Sequence, residues 1–441
     1  MTTTGVDTPA LRTPSASAFR PVRVGEMELS DPLPTIVGGD SHTGAPYGSA
    51  HLLVRLHGQP LGTAVVDLTG GPVPPDVLAA VLSARFGEAA AAHLRADGLP
   101  AARPAPAPPP CQAPLSAARA AGPLVSVVVA TRDRADQLVA CVRSLLASDY
   151  PRFEVVVVDN APHQPATRTA LAEAFGGEGR LRLLAEPAAG VSRARNTGMA
   201  FARGALVAFT DDDVEVDPGW LTALVAAFDA EPAAAVVTGL IVAAELDTEA
   251  QLWFERFVGF DKGYRRRIFD LDGNRDDSPL YPYAVGLFGS GANVAVRKGV
   301  LGDLWAFDVN LGAGSRTRGG EDLDAYLEAL HQGRRIVYEP RALVRHHHRR
   351  DHASLRRQMY DYGLGLSAVL TKRLLTGRGS RADLLRRVPH GLRHALAPQS
   401  RQRPGAGTGY PRDLVVQEWL GIARGPFAYV GSRLANAWAT A

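Results

Sequence analysis

The chain has 441 residues, of which 46% are hydrophobic and 21% are charged, and its formal net charge is +3. This length allows two or three domains, and this composition is typical of a folded protein with a sizeable core. A net charge so close to zero gives no support to nucleic-acid binding, so we expect no nucleic-acid partner. The two cysteines, Cys111 and Cys141, indicate a reducing cytoplasm rather than a disulfide framework. The sequence lacks an apolar run of about 18 residues, so we expect no membrane span.

The N-terminal part is predicted to hold a leader and a small module. Residues 1–18 are rich in Thr, Ser, Pro and Ala without an apolar core, which predicts a disordered leader rather than a secretory signal. Residues 19–100 are predicted to form a small α+β module, with strands at 51–56 and 63–68 and a helix at 75–93. This module contains no recognisable catalytic constellation, so we expect it to serve docking or packing.

Three further regions follow the module. Residues 101–122 are rich in Pro and Ala and predict an extended linker. Residues 123–375 carry the pattern of a larger α/β domain, and residues 376–441 predict a helical C-terminal extension with short helices near 415–422 and 427–438. This basic extension either packs on the core or contacts an anionic membrane surface, and packing is the simpler interpretation.

Strands and helices alternate through the larger domain. Short β-branched apolar runs are separated by amphipathic segments such as the one carrying Leu138, Val142 and Leu145. This alternation predicts right-handed crossovers and a mostly parallel, Rossmann-like sheet, whose ligands bind beyond the carboxyl ends of the strands. The predicted strands are residues 125–130, 154–158, 181–184, 205–210 and 234–243.

Three consecutive aspartates, Asp211, Asp212 and Asp213, follow the fourth of these strands. Packed carboxylates repel one another, and a divalent cation that neutralises them makes the cluster easier to tolerate. Such hard oxygen ligands suit Mg²⁺ or Mn²⁺, which in turn favour phosphate groups. Aspartate is also common in turns and at helix N-caps, so a purely structural role is the alternative. Asp159 ends the second strand, and its position at the same edge favours the ligand site.

Two other segments could contact a nucleotide. Thr131 and Arg134 follow the first strand, where polar groups can hold a base or ribose. Arg193 and Asn196 lie near the start of a predicted helix that begins at Gly190, and helix N-termini together with arginine favour phosphate. The alternative for the second segment is an ordinary amphipathic helix with solvated arginines.

Three later segments complete the set of candidates. Small residues in a loop let the backbone approach a ligand, which points to Gly291, Ala292 and Asn293. A glycine-rich loop leads into a helix whose first turn carries Glu321 and Asp322, and this turn offers a general base or simply complements the helix dipole. Alternate histidines in extended chain face the same side. His346 and His348 are therefore candidates for a metal or diphosphate contact, although surface histidines are commoner.

Taken in order over residues 125–365, these motifs resemble the family 2 glycosyltransferases, which have the GT-A fold. The resemblance implies a nucleotide-diphosphosugar donor, inversion at the anomeric carbon and a Mg²⁺ or Mn²⁺ cofactor. It implies that Asp159 contacts the nucleoside, that Asp211 and Asp213 are the outer members of a metal-binding D-x-D with Asp213 as the direct ligand, and that Asp322 is the base. The segment from His346 to Arg349 is similar to an H-x-H-R motif of some relatives, in which His346 or His348 would complete the metal shell.

The sequence departs from the processive relatives, since Gln358 is followed by Met359, Tyr360 and Asp361 without a tryptophan. The resemblance therefore implies transfer of a single sugar to a glycan, lipid-linked or small-molecule acceptor. We expect a cytoplasmic protein, with the C-terminal tail in peripheral contact with the inner face of the membrane as an open option. Two other functions stay open: a sugar-nucleotide or glycan-binding module without turnover, and a nucleotidyltransferase.

Overall fold

A computed structural model describes residues 19–99, 108–299, 306–377, 381–396 and 411–440. The predicted leader lies outside the described residues, as does most of the first half of the predicted linker. The module of residues 19–99 contains β1 (Val22–Glu28), β2 (Ser49–Leu56), β3 (Gln59–Asp67) and α1 (Pro75–Ala96). The two predicted strands and the predicted helix are confirmed, whereas β1 was not predicted.

The module is a three-stranded sheet covered by α1. Strand β1 pairs with β2 in parallel, and β2 pairs with β3 in antiparallel fashion through a tight turn at His57 and Gly58. Both turn residues have positive φ, and the glycine adopts that conformation without steric cost. Leu78, Leu82 and Phe86 of α1 are buried in the same apolar cluster as the inward side chains of β2 and β3. The module therefore has a core of its own.

Helix α1 is also the one helix among the described residues that is long and apolar enough to cross a membrane by length and composition. Our sequence expectation of no such segment did not foresee it. Leu78, Leu82 and Phe86 are buried against the module sheet, and the last turn of α1 carries His93 and Arg95. These contacts favour packing within the module.

The predicted linker is partly helical. A 3₁₀ turn at Pro110–Gln112 leads directly into α2 (Ala113–Ala121), which packs against α6 (Trp220–Ala230). Leu115 and Ala118 are buried in the core of the larger domain. Residues 113–121 therefore belong to that domain, because their apolar side chains have a surface to cover.

The larger domain is built around a nine-stranded sheet within the described residues, with the order β10-β12-β9-β11-β7-β4-β5-β6 and β8 paired to β12. Strands β7, β4, β5 and β6 are parallel, as are β9 and β12, whereas β11 runs antiparallel between β7 and β9. The α/β fold class is confirmed, and the sheet is parallel on one side of β7 and mixed on the other. The strands are β4 (Val125–Thr131), β5 (Phe153–Asn160), β6 (Leu181–Glu186), β7 (Leu206–Asp211), β8 (Val214–Val216), β9 (Ala234–Ala243), β10 (Arg267–Phe269), β11 (Val294–Arg297) and β12 (Arg335–His346).

Helices cover both faces of this sheet. Val127 and Val129 of β4 point into one apolar cluster and Val128 into the other, as the two-residue period of a strand requires. A sheet buried on both faces explains why its central strands are continuous apolar runs. The helices are α3 (Ala135–Leu146), α4 (Ala166–Phe175), α5 (Val191–Phe201), α6, α7 (Glu249–Phe257) and α8 (Glu321–His331).

Strand register brings the predicted site residues to one edge of the sheet. In the pairing of β4 with its neighbours, Thr131 lies opposite Asp159 and Ala130 lies opposite Asp211. Asp159 and Asp211 are therefore two strands apart, roughly 10 Å in the hydrogen-bonding direction. On the other side, β12 pairs with β8 so that His346 lies opposite Val214. This pairing carries the histidines to the aspartates, more than a hundred positions earlier in the chain.

The C-terminal region consists of α9 (His352–Thr376), α10 (Arg381–Leu396) and α11 (Arg412–Thr440). Helix α11 is continuous through Pro426, so our prediction of two short helices is wrong in that respect. It packs closely on α9, and two glycines at the contact show how closely. A Cβ at Gly363 or Gly421 would lie 2.1 Å from a backbone oxygen of the facing helix. Packing on the core, the simpler interpretation, is confirmed for this face. Phe427 and Trp438 are exposed elsewhere on α11, and membrane contact stays a prediction.

Candidate active site

The last two aspartates of the triplet are buried and bound to basic and hydroxyl side chains. Thr131 Oγ1 and Arg134 Nη1 donate to Asp212 over 2.8 and 3.0 Å. Arg134 also donates to Asp213 over 3.2 Å, and Arg349 Nη1 lies 3.6 Å from the same carboxylate. Burial raises the pKa of Asp212 to about 6, although Arg134 opposes the shift. Thr131 and Arg134, which were predicted to hold a base or ribose, thus contact the aspartate cluster, and their contact with a nucleotide stays a prediction.

Asp211 is joined to the helix α8 carboxylates by one buried arginine. Arg195 Nη2 donates to Asp211 Oδ1 and Arg195 Nη1 donates to Glu321 Oε1, each over 2.8 Å. Burial and the negative charge of Asp322 raise the pKa of Glu321 to about 7, and Arg195 offsets only part of that shift. The triplet and the predicted base region therefore form one site rather than two distant ones.

Asp322 is held by backbone amides. The N–H of Gly291 donates to Asp322 Oδ2 over 2.7 Å, and the N–H of Leu323 donates to Oδ1 over 2.8 Å. A side chain at position 291 has little room, because a Cβ there would lie 2.9 Å from Arg195 Nη1 and 3.2 Å from Asp322 Cβ. Among the described residues, Asp322 has no ion pair within 4.0 Å. Its half-buried carboxylate keeps the acceptor capacity that a base needs.

The other acidic residue of this turn has a structural partner. Asp324 forms ion pairs with Lys372 and Arg373 of α9, each at 2.6 Å. The three carboxylates of the first turn of α8 therefore have different surroundings: Glu321 meets a buried arginine, Asp324 meets α9, and Asp322 faces the loop at Gly291. Of these three carboxylates, Asp322 is therefore the one that remains available to accept a proton.

The two candidate histidines form a buried row that begins at Asp213. His346 Nε2 lies 3.5 Å from Asp213 Oδ1, and its Nδ1 lies 3.3 Å from His348 Nδ1. The other ring nitrogen of His348 lies 3.1 Å from Glu255 Oε2. Burial lowers the pKa of His346 to about 4, so the imidazole is neutral, which is the form that ligates metals. His346 thus faces the aspartates directly, and His348 lies behind it.

Charge around Asp213 is balanced by its neighbours. Burial alone would raise the pKa of this carboxyl, but nearby basic groups, among them the guanidiniums of Arg349 and Arg134, lower the pKa. Asp213 is therefore an ionised carboxylate at neutral pH. An ionised oxygen next to a neutral imidazole is a chemically suitable pair of ligands for a divalent cation.

Asp159 borders a separate cavity of about 320 Å³ at the end of β5 and β6. Its Oδ1 atom is buried without a hydrogen-bond partner among the described residues, and burial raises the pKa of the carboxyl. A buried acceptor left unpaired costs about 1–3 kcal/mol, so a donor from a ligand would recover stability here. The cavity is lined by Asp159, Pro162, His163, Gln164, Pro165, Arg168, Leu183, Leu184 and Ala185.

Arg193 and Asn196 were predicted to bind nucleotide, but the structure places them away from the aspartates. Arg193 Nη2 donates to Asn436 Oδ1 of α11 over 3.0 Å. Asn196 binds the backbone of Phe307 in both directions, over 2.8 and 2.9 Å. Arg193 therefore fastens the C-terminal helix, and Asn196 fastens the chain that leads to α8.

The predicted ligand loop, residues 291–293, lies partly in the candidate site and partly in the core. Gly291 contacts Asp322, as described above, and the carbonyl of Ala292 accepts a hydrogen bond from Thr210 over 2.9 Å. Asn293 is fully buried, accepts from Trp220 Nε1 over 2.8 Å and donates to two backbone carbonyls. Asn293 thus ties strands together beneath the site instead of reaching into it.

Sequence reasoning missed Arg195, which joins the two halves of the site. A signal was present, because Val191, Ala194, Arg195 and Gly198 recur at the spacing of one helix face. Arg193 falls outside that face, so the second arginine of the segment is the one that points inward. Arg349 was quoted only as the end of the histidine motif, and its contact with Asp213 depends on the pairing of β12 with β8.

The model of the family described as glycosyl transferase family 2 matches residues 126–301. This stretch includes β4, β5, the aspartate triplet and the loop at Gly291. Residues 126–301 therefore match a family 2 glycosyltransferase domain. Glu321 and Asp322, the carboxylates predicted to be catalytic, lie beyond the matched stretch but contact it through Arg195 and Gly291.

Curated proteins that are similar to this glycosyltransferase domain include transferases with different names. A pre-mycofactocin glycosyltransferase of Mycobacterium tuberculosis is 29% identical over 226 residues, which cover 51% of this chain and 43% of that protein. A glucosyl-dolichyl phosphate glucuronosyltransferase of Haloferax volcanii is 25% identical, with 50% of this chain and 68% of that protein covered. The chain thus spans less than half of the first relative, and the similarity covers about half of the chain itself.

Solved structures also show a likeness. A mannosyltransferase of Pyrobaculum calidifontis in complex with GDP-Man and Mn²⁺ is 18% identical, with a TM-score of 0.44 over 72% of this chain and 88% of that chain. A TarS structure of S. aureus, residues 1–349, is 16% identical with a TM-score of 0.39.

Proposed function

We propose that this protein transfers one sugar from a nucleotide-diphosphosugar to an acceptor hydroxyl, with inversion at the anomeric carbon and Asp322 as the general base. The observation that carries the proposal is the bridge formed by Arg195, which joins Asp211 to Glu321 within hydrogen-bonding distance. This bridge supports the proposal because Asp211 and the first turn of α8 share one buried arginine, so that a diphosphate site and a base would lie side by side.

The nucleoside of the donor is proposed to occupy the cavity at Asp159. The unpaired Oδ1 of Asp159 can accept a hydrogen bond from a base imide or from a ribose hydroxyl. Leu183 and Leu184 supply apolar lining for a planar base. The two-strand separation between Asp159 and Asp211, roughly 10 Å, leaves room for the ribose before the diphosphate.

A divalent cation, Mg²⁺ or Mn²⁺, is proposed to bind beside the diphosphate. Asp213 and His346 would hold it, with Asp211 close by. The Oδ1 atom of Asp213 and the Nε2 atom of His346 are 3.5 Å apart. Within the described residues the aspartate triplet belongs to no group of three or more metal-capable side chains within 4.8 Å of one another. This arrangement suits Mg²⁺ in particular, which is usually held by one or two carboxylates plus phosphates and water. When bound, such a cation neutralises charge that builds on the leaving diphosphate.

His348 is proposed to orient His346 rather than to ligate the cation. Its Nδ1 faces the Nδ1 of His346, and its Nε2 faces Glu255. Buried partners of this kind fix the tautomer and ring orientation of a metal-ligating histidine. In this proposal His346 is the metal ligand, and His348 fixes its orientation.

The chemical step needs one proton acceptor. Asp322 takes the proton of the acceptor hydroxyl while that oxygen attacks the anomeric carbon, and the bond from that carbon to the diphosphate breaks on the opposite face. The amides of Gly291 and Leu323 hold the carboxylate in place for this transfer. General-base catalysis of this kind contributes roughly 100- to 10,000-fold in rate.

The acceptor is proposed to enter from a second cavity, of about 690 Å³, between the loop before α8 and the helices α9 and α11. Arg316, Arg318 and Arg424 line it together with Tyr360 and Phe427. Three arginines beside aromatic rings suit an acceptor that carries an anionic group.

The proposal is tested by measuring the rate of sugar transfer and the binding of the donor for the variant Asp322→Asn. This variant should bind the donor as the wild type does, by calorimetry with Mn²⁺, and lose roughly 100- to 10,000-fold in transfer rate. Asp229→Asn, at an exposed position on α6, is the matched control and should keep full activity. Near-normal turnover of Asp322→Asn would assign the base elsewhere, and absence of both transfer and donor hydrolysis in the wild type would indicate a binding module.

A further inference from the structure

A second cluster of metal-capable side chains lies where the N-terminal module meets the chain that enters the larger domain, far from the aspartates in sequence. His57, His93, Asp97 and Cys111 each point one ligand atom into a common space, with all four atoms within 4.8 Å of one another. His57 occupies the turn between β2 and β3, His93 and Asp97 lie one turn apart at the end of α1, and Cys111 lies in the 3₁₀ turn before α2. Three separate segments thus converge on one point.

The spacing of these atoms matches a tetrahedral metal site. His57 Nδ1 lies 3.2 Å from His93 Nε2, 3.3 Å from Asp97 Oδ2 and 3.5 Å from Cys111 Sγ, and His93 Nε2 lies 3.4 Å from Asp97 Oδ2. Zinc bonds of about 2.0–2.3 Å at tetrahedral angles place ligand atoms about 3.3–3.8 Å apart. The observed separations therefore approximate the edges of such a tetrahedron.

Hydrogen bonding alone does not explain this convergence. The Nδ1 atom of His57 faces a nitrogen, an oxygen and a sulfur at once, yet one ring nitrogen carries either one proton or one lone pair. The side chains of His57, Asp97 and His93 are only 4%, 8% and 12% exposed, so water has little access to the remaining groups. A cation at the centre would satisfy all four ligand atoms together.

We propose that His57, His93, Asp97 and Cys111 bind one zinc ion, which fastens the N-terminal module to the glycosyltransferase domain. Two imidazoles, a thiolate and a carboxylate make a closed set of four ligands, as in structural zinc sites. This inference is independent of the proposed sugar transfer, because none of the four residues lies in the candidate active site.

Contacts around the cluster show what the metal would connect. Arg341, on β12 of the large sheet, donates to the carbonyl of Cys111 over 3.1 Å and to Gln59 Oε1 over 2.6 Å. Gln112, next to the thiol, donates to the carbonyl of His57. The metal would thus cross-link the hairpin, α1 and the chain that enters the large domain, with Arg341 joining that junction to the central sheet.

The test uses the full chain, purified with a tag that contains no histidine. Elemental analysis should find one zinc ion per chain, and Cys111→Ser should lose most of it. Replacement of zinc by Co²⁺ should produce a thiolate-to-cobalt charge-transfer band together with the visible bands of a tetrahedral ion. Cys141→Ser is the matched control, since it removes the other cysteine, and it should leave metal content and spectrum unchanged.

Two further variants keep the test decisive if Cys111→Ser fails to fold. Cys111→His should retain zinc but lose the charge-transfer band, because the metal keeps four ligands without a thiolate. Asp213→Ala should retain zinc in full, which separates this site from the active site. A wild-type chain that contains no zinc above background, shows no charge-transfer band with Co²⁺ and has the same melting temperature with and without a chelator would overturn the proposal.

Discussion

The aspartate triplet and the four-ligand cluster around His57 balance their charge in different ways. At the edge of the large sheet, Asp211 meets Arg195, and Asp212 and Asp213 meet Arg134. In the module, the ion pairs of Asp97 within the described residues are to two histidines. Carboxylates that already have arginine partners can stay folded while a cation and donor come and go. A cluster without such partners is suited to a metal that stays bound.

The largest expected effect follows from removal of the buried arginine. Arg195→Met should lower the free energy of unfolding by about 3–5 kcal/mol, because breaking a buried ion pair leaves uncompensated charge on Asp211 and Glu321. Arg193→Met, two residues away on the same helix, is the matched control and should cost under about 1 kcal/mol because it loses only the contact to Asn436. Chemical denaturation measures both, and equal effects would show that Arg195 does not balance the cluster.

The second prediction concerns the pH dependence of stability at Glu321. Burial raises its folded-state pKa to about 7 from the ordinary value of 4.5, so the folded protein holds this proton in the window between those values. Wild-type stability should therefore fall as the pH rises from about 4.5 to about 7, by up to about 3 kcal/mol, and Glu321→Gln should lack that component. Melting curves of both proteins at pH 5 and pH 8 measure the difference. A difference that does not change with pH would show that Glu321 is ionised throughout.

The third prediction tests the exchangeable cation. Asp213→Ala should remove the Mn²⁺-dependent part of nucleotide binding, a loss of roughly tenfold or about 1.4 kcal/mol. Asp229→Ala serves as the control for a remote aspartate. Calorimetric titration of the nucleotide with and without Mn²⁺ reports the change, and undiminished binding by Asp213→Ala in Mn²⁺ would remove this residue from the proposed metal site.

Much of the larger domain could be predicted from sequence because its signals are local. The runs ending at Thr131, Asn160 and Asp211 are strands, and a parallel arrangement necessarily gathers their carboxyl ends at one edge. Helix α8 likewise begins at Glu321, directly after a glycine with positive φ. Position along a strand or helix was enough to place these groups near one another.

The features that escaped prediction depend on contacts between distant segments. Cys111 indicated only the redox compartment, since its approach to His57 depends on how the 3₁₀ turn meets the β2–β3 hairpin. Asn293 was predicted to belong to a loop that approaches a ligand, yet its amide binds Trp220 and two backbone carbonyls beneath the site. Pro426 suggested a break in α11, but close packing on α9 keeps the helix continuous. In each case a tertiary partner determined the role of the side chain.

The hydrogen bond from the Gly291 amide to Asp322 makes that amide a spectroscopic reporter. Its proton points at the carboxylate oxygen over a donor–acceptor distance of 2.7 Å, so its chemical shift should follow the charge of Asp322. A ¹⁵N-labelled sample would therefore let the ionisation of the proposed base be titrated directly by magnetic resonance, without turnover and without knowledge of the sugar or the acceptor.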